Sequence, residues 1–310
     1  MDVVCLGILV ADAIARPVGE LPERGSLGLV DEISLHGGGC ALNTASALVR
    51  LGLSAGAAGK VGDDALGAFL LALLDERGVD RGGVLADPGV ATSASVVLVD
   101  SSGERTFLHL PGASASLRAE ELDRSYLFAG RGLHLAGALV MEALDGEPGA
   151  GLLAEARSRG LVTSLDTVWD ATGRWERVLP ALSHVDLFAP SLPEGRAITG
   201  EEEPKAVASW LRERGVGAVV LKCGASGCYA SGDGFEGPVQ AFPVAALDGT
   251  GAGDAFVAGL LYGRLAGWQL ERSARFANAV GALATTEVGA VEGVRGLEEA
   301  LALAGLAGRD

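Results

Sequence analysis

The apolar positions of this chain fall into short unbroken runs rather than long alternating ones. Val3-Val4-Cys5-Leu6-Gly7-Ile8 is the first of them. A run that is apolar at every position marks a strand buried on both faces, as in a parallel sheet. Gly132-Leu133-His134-Leu135-Ala136, Leu161-Val162-Thr163-Ser164-Leu165-Asp166, Val185-Asp186-Leu187-Phe188-Ala189 and Ala218-Val219-Val220-Leu221-Lys222 repeat the theme. Helical patterns separate them, around residues 148–159 and 204–214, and two small-residue-rich helices follow over 254–265 and roughly 270–287. Strands alternating with helices at this spacing predict a doubly wound, mainly parallel α/β sheet. Two stretches break the rhythm. Residues 13–36 give short, partly alternating segments, and Thr92 to Asp100 turns at Ser101-Ser102-Gly103-Glu104 into Arg105-Thr106-Phe107-Leu108-His109, a hairpin by its β-branched content and glycine turn. Residues 13–36 and 92–109 are therefore expected to form a small separate sheet, a candidate lid. Residues 1–12, 37–91 and 110–310 are expected to form the main domain.

Two glycine loops stand out against this frame. In Asp248-Gly249-Thr250-Gly251-Ala252-Gly253-Asp254, a glycine turn runs straight into a helix. It follows residues 242–247, which read as the end of a strand. Such a turn aims backbone N–H groups at one point, where the helix dipole also favours negative charge. Asp254 falls in the first turn, placed to accept a proton from a hydroxyl while the N–H groups hold a phosphate. An ordinary first-turn aspartate accounts equally well for this loop taken alone. The second loop is Gly37-Gly38-Gly39-Cys40-Ala41-Leu42-Asn43-Thr44-Ala45, which opens a helix. Its glycines permit close approach to the backbone, and an asparagine inside a helix is unfavourable by propensity, so Asn43 points to a task. Asp12 follows the first strand and Asp166 ends a later one, both at carboxyl ends where ligands of open α/β sheets gather. Gly59-Lys60-Val61-Gly62-Asp63-Asp64 is expected to lead a helix running to Arg77.

Composition narrows the function. A hydrophobic content of 49% and 47 glycines in 310 residues suit a turn-rich α/β protein. The net charge of −16 argues against a nucleic-acid backbone as partner, and 5% aromatic content offers no stacking platform. Cys5, Cys40, Cys223 and Cys228 show no zinc spacing and are expected to be free thiols in a reducing, cytoplasmic setting. No basic leader precedes the first strand, so a signal peptide is not expected, and the apolar runs are too short to span a membrane. No Gly-x-x-x-x-Gly-Lys-Ser/Thr occurs, which excludes a P-loop mechanism, and the first strand lacks a dinucleotide fingerprint.

Both glycine loops, the flanking aspartates and the βαβ order together resemble the ribokinase-like (PfkB) carbohydrate kinases over nearly the whole chain. The 37–45 segment resembles that family's N-terminal signature. The 248–254 segment resembles its C-terminal one, Asp-Thr-x-Gly-Ala-Gly-Asp, with Gly249 where Thr is commoner. The resemblance implies a three-layer α/β/α fold with a β-lid, and transfer of the γ-phosphoryl of ATP to a primary hydroxyl of a small sugar. It implies Asp254 as base, with the amides of Gly251, Ala252 and Gly253 as anion hole. Asp12, Gly38, Gly39 and Asn43 match sugar contacts, with Asp166, Phe107 and His109 as further substrate-side candidates. Lys222, Gly224, Gly227, Gly253 and Asn278 match the nucleotide side. Glu194 matches the residue that helps hold Mg2+ through water, although Ser191 replaces the asparagine of the family's Asn-x-x-Glu motif. Asp248 and Thr250 match residues that bind a monovalent cation such as K+ in some members. A homodimer through the lid is also implied. Trp169 and Asp170, rather than an arginine, follow Asp166, which prefers a neutral sugar. Arg105 on the lid keeps a sugar acid such as 2-keto-3-deoxygluconate as an alternative. A nucleoside kinase and a catalytically weak sugar or nucleotide sensor are the remaining ones.

Overall fold

The computed structural model describes residues 1–308. Its strands are β1 (Val3–Gly7), β2 (Val10–Arg16), β3 (Glu32–Gly38), β4 (Ala55–Gly62), β5 (Asp80–Asp87), β6 (Ala94–Val99), β7 (Arg105–Leu110), β8 (Gly132–Ala138), β9 (Val162–Thr167), β10 (Leu187–Phe188), β11 (Ala218–Lys222), β12 (Cys228–Gly232) and β13 (Phe235–Val239). Its α-helices are α1 (Cys40–Arg50), α2 (Ala65–Glu76), α3 (Gly112–Ser116), α4 (Arg124–Leu127), α5 (Glu147–Ser158), α6 (Leu192–Thr199), α7 (Pro204–Glu213), α8 (Ala252–Leu265), α9 (Leu270–Ala284) and α10 (Leu297–Ala304).

Among the described residues, nine strands form one sheet in the order β13-β12-β11-β10-β9-β8-β1-β4-β5. The apolar runs occupy its middle: β1 is buried at all five positions and pairs in parallel with β4 on one side and β8 on the other. The chain thus starts at the centre, winds outward through β4 and β5, then returns to β8 and winds the other way. That reversal is the switch point beside which ligands bind in doubly wound sheets. Helices α1, α8 and α9 pack together as one layer, while α5, α6 and α7 contact strands β8 to β12. No helix among the described residues is long and apolar enough to cross a membrane.

Several elements differ from expectation, each for a physical reason. The 59–64 segment leads into α2, with Asp64 as its N-cap and Arg77 at its end, as expected, but residues 55–62 form β4, an unexpected strand buried at all eight positions. Its alanines and glycines carry no apolar period, and they suit a strand whose neighbours lie very close. Residues 242–247 form no strand. Leu247 and Asp248 instead donate their N–H groups to the Thr285 carbonyl, at 2.7 and 3.1 Å. The edge strand β5 and the antiparallel hairpin β12–β13 are additional elements that the apolar runs do not announce.

The remaining four strands form a separate sheet, β3-β2-β6-β7. Asp12 lies within β2 of this sheet rather than in a loop after β1. Directly paired residues share a face, so the register places Asp12, His36, Ser95 and His109 together. Phe107 and Arg105 follow on the same face. The opposite face carries Ile33, Leu35, Val96 and Leu108, all exposed.

Candidate active site

The 248–254 loop is shaped by its own side chains. Asp248 Oδ1 accepts hydrogen bonds from the Thr250 N–H (2.9 Å) and hydroxyl (2.7 Å), and Oδ2 accepts one from the Gly289 N–H (3.1 Å). Burial works to raise this carboxyl, but those donors and the Arg105 guanidinium outweigh it and hold it at about 2. The turn ends at Gly251, the N-cap of α8, with φ at 68°. A Cβ there would run into the Ala290 carbonyl, so both the left-handed backbone and the close approach require glycine. Ala252, Gly253 and Asp254 then form the first turn of α8, where N–H groups lack intrahelical partners. The Ala252 N–H makes a single long bond, 3.4 Å, to the Gly249 carbonyl.

Asp254 is only 8% exposed. Its Oδ2 accepts a 2.8 Å bond from the Asn43 amide, and the Thr44 hydroxyl reaches its carbonyl at 3.4 Å. The two glycine loops, 211 positions apart, therefore meet at one carboxylate. Burial raises the Asp254 carboxyl above the usual range, against the Asn43 amide and Lys222, which pull it down. The Asn43 Oδ1 atom is buried with no hydrogen-bond partner. A buried acceptor without a donor is costly, and a substrate hydroxyl would satisfy it. Gly39 caps α1 ahead of Asn43. At Gly38 a Cβ would collide with the Asp12 carboxylate, so glycine is needed for that carboxylate to lie across the loop. Asp12 is raised by burial, opposed by Ser95 and by the nearby His109 and His36. The Ser95 hydroxyl and His109 Nδ1 are 3.2 Å apart. Phe107 lies on the same face and is exposed.

Lys222, at the end of β11, reaches both oxygens of Asp166, at 2.8 and 3.0 Å. Asp166 is 2% exposed, and burial drives its carboxyl up to about 7, with Lys222 pulling down and Glu194 adding to the rise. Burial opposes the charge on Lys222, but Asp166, Glu194 and Asp254 outweigh it and hold the ammonium above its usual value. A Cβ on Gly253 would lie 3.4 Å from Lys222 Nζ, so the ammonium stands directly over the first turn of α8. A cavity of about 660 Å³ opens there, lined by Lys222, Gly224, Gly227, Phe242, Gly253 and Asn278. This volume suits a nucleotide-sized ligand. Asn278 also donates to the Val239 and Gln240 carbonyls, at 3.0 and 3.1 Å, so it holds the cavity wall in place.

Glu194 sits in a capping box on α6. The Ser191 N–H donates to Oε2 at 2.8 Å, and the Glu194 N–H donates to the Ser191 hydroxyl at 3.3 Å. The Thr167 hydroxyl adds a 3.1 Å bond to Oε2. This fixed carboxylate, in electrostatic reach of Asp166 and Asp254, fits Mg2+, an ion that leans on one or two carboxylates, phosphate oxygens and its own waters. Asp248 and Thr250 do not fit a monovalent cation in the same way. The Arg105 guanidinium already donates to Asp248 Oδ1 and to the Thr250 hydroxyl. Arg105, expected as a lid cation for a sugar carboxylate, is instead engaged by Asp248 and Thr250. The 289–290 segment, which meets Asp248 and Gly251, was not anticipated, and its only signal in the sequence is a glycine after a helix.

The structure thus brings Asn43 to Asp254, and Lys222, Gly224, Gly227, Gly253 and Asn278 to one cavity. Asp12 lies on the small sheet against Gly38 of the second loop, and His109 shares its face of that sheet. A doubly wound sheet with a separate small sheet and a glycine-capped helix at its cleft defines a ribokinase-like kinase fold. A ribokinase of Arabidopsis thaliana, solved with ribose and ATP, superposes with a TM-score of 0.84 at 23% identity, over 98% of either chain. The model of the family described as "pfkB family carbohydrate kinase" matches residues 1–295. The chain belongs to this family and is a sugar kinase. Among relatives, fructokinase-1 of Zea mays is 31% identical over 272 residues, covering 82% of this chain and 84% of its own. A 2-dehydro-3-deoxygluconokinase of Bacillus subtilis (strain 168) is 28% identical over 285 residues, covering 88% and 87%.

Proposed function

We propose that the chain transfers the γ-phosphoryl group of ATP to a primary hydroxyl of a small neutral sugar of the ribose, fructose or related ketose type. The observation that carries this reading is the junction of Asn43 with Asp254: a buried carboxylate in a glycine-capped first turn, beside the unsatisfied Asn43 Oδ1. The sugar oxygen attacks the γ-phosphorus while its proton passes to Asp254. The bond from that phosphorus to the β–γ bridging oxygen breaks, and ADP leaves. The amides of Gly251, Ala252 and Gly253, with Lys222 above them, receive the charge that builds on the transferring group. Burial brings Asp254 nearer the pH at which a general base works best. Magnesium, when bound, neutralises phosphate charge, and Glu194 would hold it through water.

A neutral sugar is favoured because both cations at the cleft are already paired, Lys222 with Asp166 and Arg105 with Asp248. What faces the sugar end is hydroxyl-seeking: Asp12, Gly38, Gly39, Asn43 and His109. The Bacillus relative's substrate supports a second reading, a sugar acid. The small sheet, residues 13–36 and 92–109, serves as a lid that excludes water, and its exposed apolar outer face pairs with that of a second copy. The four free cysteines suit a reducing, cytoplasmic setting.

The test is ADP release measured across ribose, fructose, other ketoses, 2-keto-3-deoxy sugar acids and adenosine at saturating magnesium, with Asp254→Asn alongside. We expect the highest kcat/KM for a neutral sugar and a loss of about 10²–10⁴-fold in the variant, the scale of general-base catalysis. No turnover with any acceptor, or full activity without Asp254, overturns the reading.

A further inference from the structure

We propose that Arg105 is a built-in cation for the anion-hole loop, delivered by the small sheet, which takes the place of a monovalent ion from solution. This rests on the reading of residues 251–253 as the anion hole.

Three observations carry it. First, Asp248 organises the turn that leads into Gly251, yet its partners within the main domain are all neutral: the Thr250 N–H and hydroxyl and the Gly289 N–H. With Arg105 in place its side chain is only 12% exposed, and a carboxylate so enclosed gains from a countercharge as well as from neutral donors. Second, among the described residues the ion-pair partner of Asp248 is Arg105. One guanidinium nitrogen donates to Asp248 Oδ1 and the other to the Thr250 hydroxyl, which itself donates to Asp248. The planar fork thus spans both side chains that a monovalent cation would use, and two-point recognition of this kind is what a guanidinium does and an ammonium does not. Third, Arg105 opens β7, on the sheet face that also carries Asp12, Ser95 and His109. The countercharge therefore reaches Asp248 only when this face lies over the cleft. Closure of the small sheet and ordering of the phosphate-binding turn become one event. Arg105 is not among the residues that line the cavity, and its hydrogen bonds go to Asp248 and Thr250, so it is a positioning residue that acts through them.

The proposal predicts turnover that does not need potassium. In the wild-type protein, replacing K+ by tetramethylammonium at constant ionic strength should leave kcat within about twofold. Arg105→Ala in tetramethylammonium should lower kcat about tenfold or more, the scale of one charge-assisted pair, with the sugar KM moving less. Added K+ or sub-denaturing guanidinium should restore much of that loss, and Arg105→Lys should recover only part of it. A second readout does not depend on turnover: K+ or guanidinium should raise the melting temperature of the Arg105→Ala apoprotein above its value in tetramethylammonium, and should not do so for wild type. A wild-type enzyme that requires K+ overturns the inference, as does an Arg105→Ala variant equal to wild type in both readouts. The wild-type ion exchange decides the matter alone if the variant does not fold. Asp254→Asn run in parallel separates the two levels. If Asp254→Asn is inactive and Arg105→Ala behaves as wild type, only the built-in cation fails. If Asp254→Asn keeps turnover, the reading of the site fails, and the melting data still judge Arg105.

Discussion

In the proposed reaction Asp254 serves as base only when ionised, and its surroundings pull in opposite directions. Burial raises its carboxyl, whereas the Asn43 amide at 2.8 Å and the Lys222 ammonium lower it. The net effect is upward, so kcat/KM should be full above the folded-state pKa and should fall with acid at a higher pH than an ordinary aspartate dictates. Removing the amide in Asn43→Ala leaves burial less opposed, and the acid limb of the profile should move further up. A pH profile of kcat/KM for both proteins checks this; an unmoved limb would mean that Asn43 does not tune the base. Stability follows the same sign. A carboxyl raised above its unfolded value favours the folded state most at acid pH, and that contribution is lost as pH rises through the folded pKa. The Asp254→Asn apoprotein should therefore melt no lower than wild type at neutral pH. At this scale the residues of the proposed site that meet in the structure, Asn43 and Asp254, were readable in the sequence, because the proton abstraction proposed beside a phosphate calls for conspicuous residues: glycines at a helix start, a first-turn aspartate, an asparagine where helices disfavour it. The Arg105–Asp248 pair was not. It joins residues 143 positions apart, and nothing local to either one announces the other.

Ser191 shows what an element adds to a motif. As the N-cap of α6 it exchanges two hydrogen bonds with Glu194, so the residue at this position fixes the carboxylate through the helix start. Serine and asparagine are near-equal caps. Ser191→Asn should leave stability within a few tenths of a kcal/mol and change the magnesium requirement little. Ser191→Ala should cost about 1 kcal/mol, the usual value of a lost cap, and should raise the magnesium concentration needed for half-maximal rate. Melting and magnesium titrations of the two variants check this. A large gain of activity in Ser191→Asn would instead show that the wild-type chain is a weakened enzyme, which is the sensor reading. The same element-level view explains which strands the sequence concealed. β1, β8, β9 and β11 advertise themselves through branched apolar side chains. β4, with the sequence AGAAGKVG, is just as buried but is built from residues whose fit depends on strands that approach closely. Such a signal lies in the partner strand, not in the segment.

Across the whole molecule, the small sheet has two faces of opposite character. The face bearing Asp12, His36, Ser95 and His109 turns to the cleft, where Arg105 ties it to Asp248. The other exposes Ile33 (75%) and Leu108 (65%) together with Leu35 and Val96. A contiguous apolar face on a sheet with two free edges is a liability in a lone chain, and a second copy presenting the same face would cover it by an isologous contact. The acidic surface implied by a net charge of −16 opposes association elsewhere, so pairing should be confined to this apolar face. Light scattering should give a dimer for wild type and a monomer for Leu108→Glu, whose exposed side chain lies on the face opposite Ser95 and His109. Because the sheet carries Arg105 on its inner face, loss of pairing should also loosen closure, and the variant should show a raised sugar KM with a smaller change in kcat. A wild-type chain that stays monomeric at micromolar concentration, or a Leu108→Glu dimer, would remove the outer face as the interface. The inner face would then have to close over the substrate on the strength of Arg105 and the sugar contacts alone.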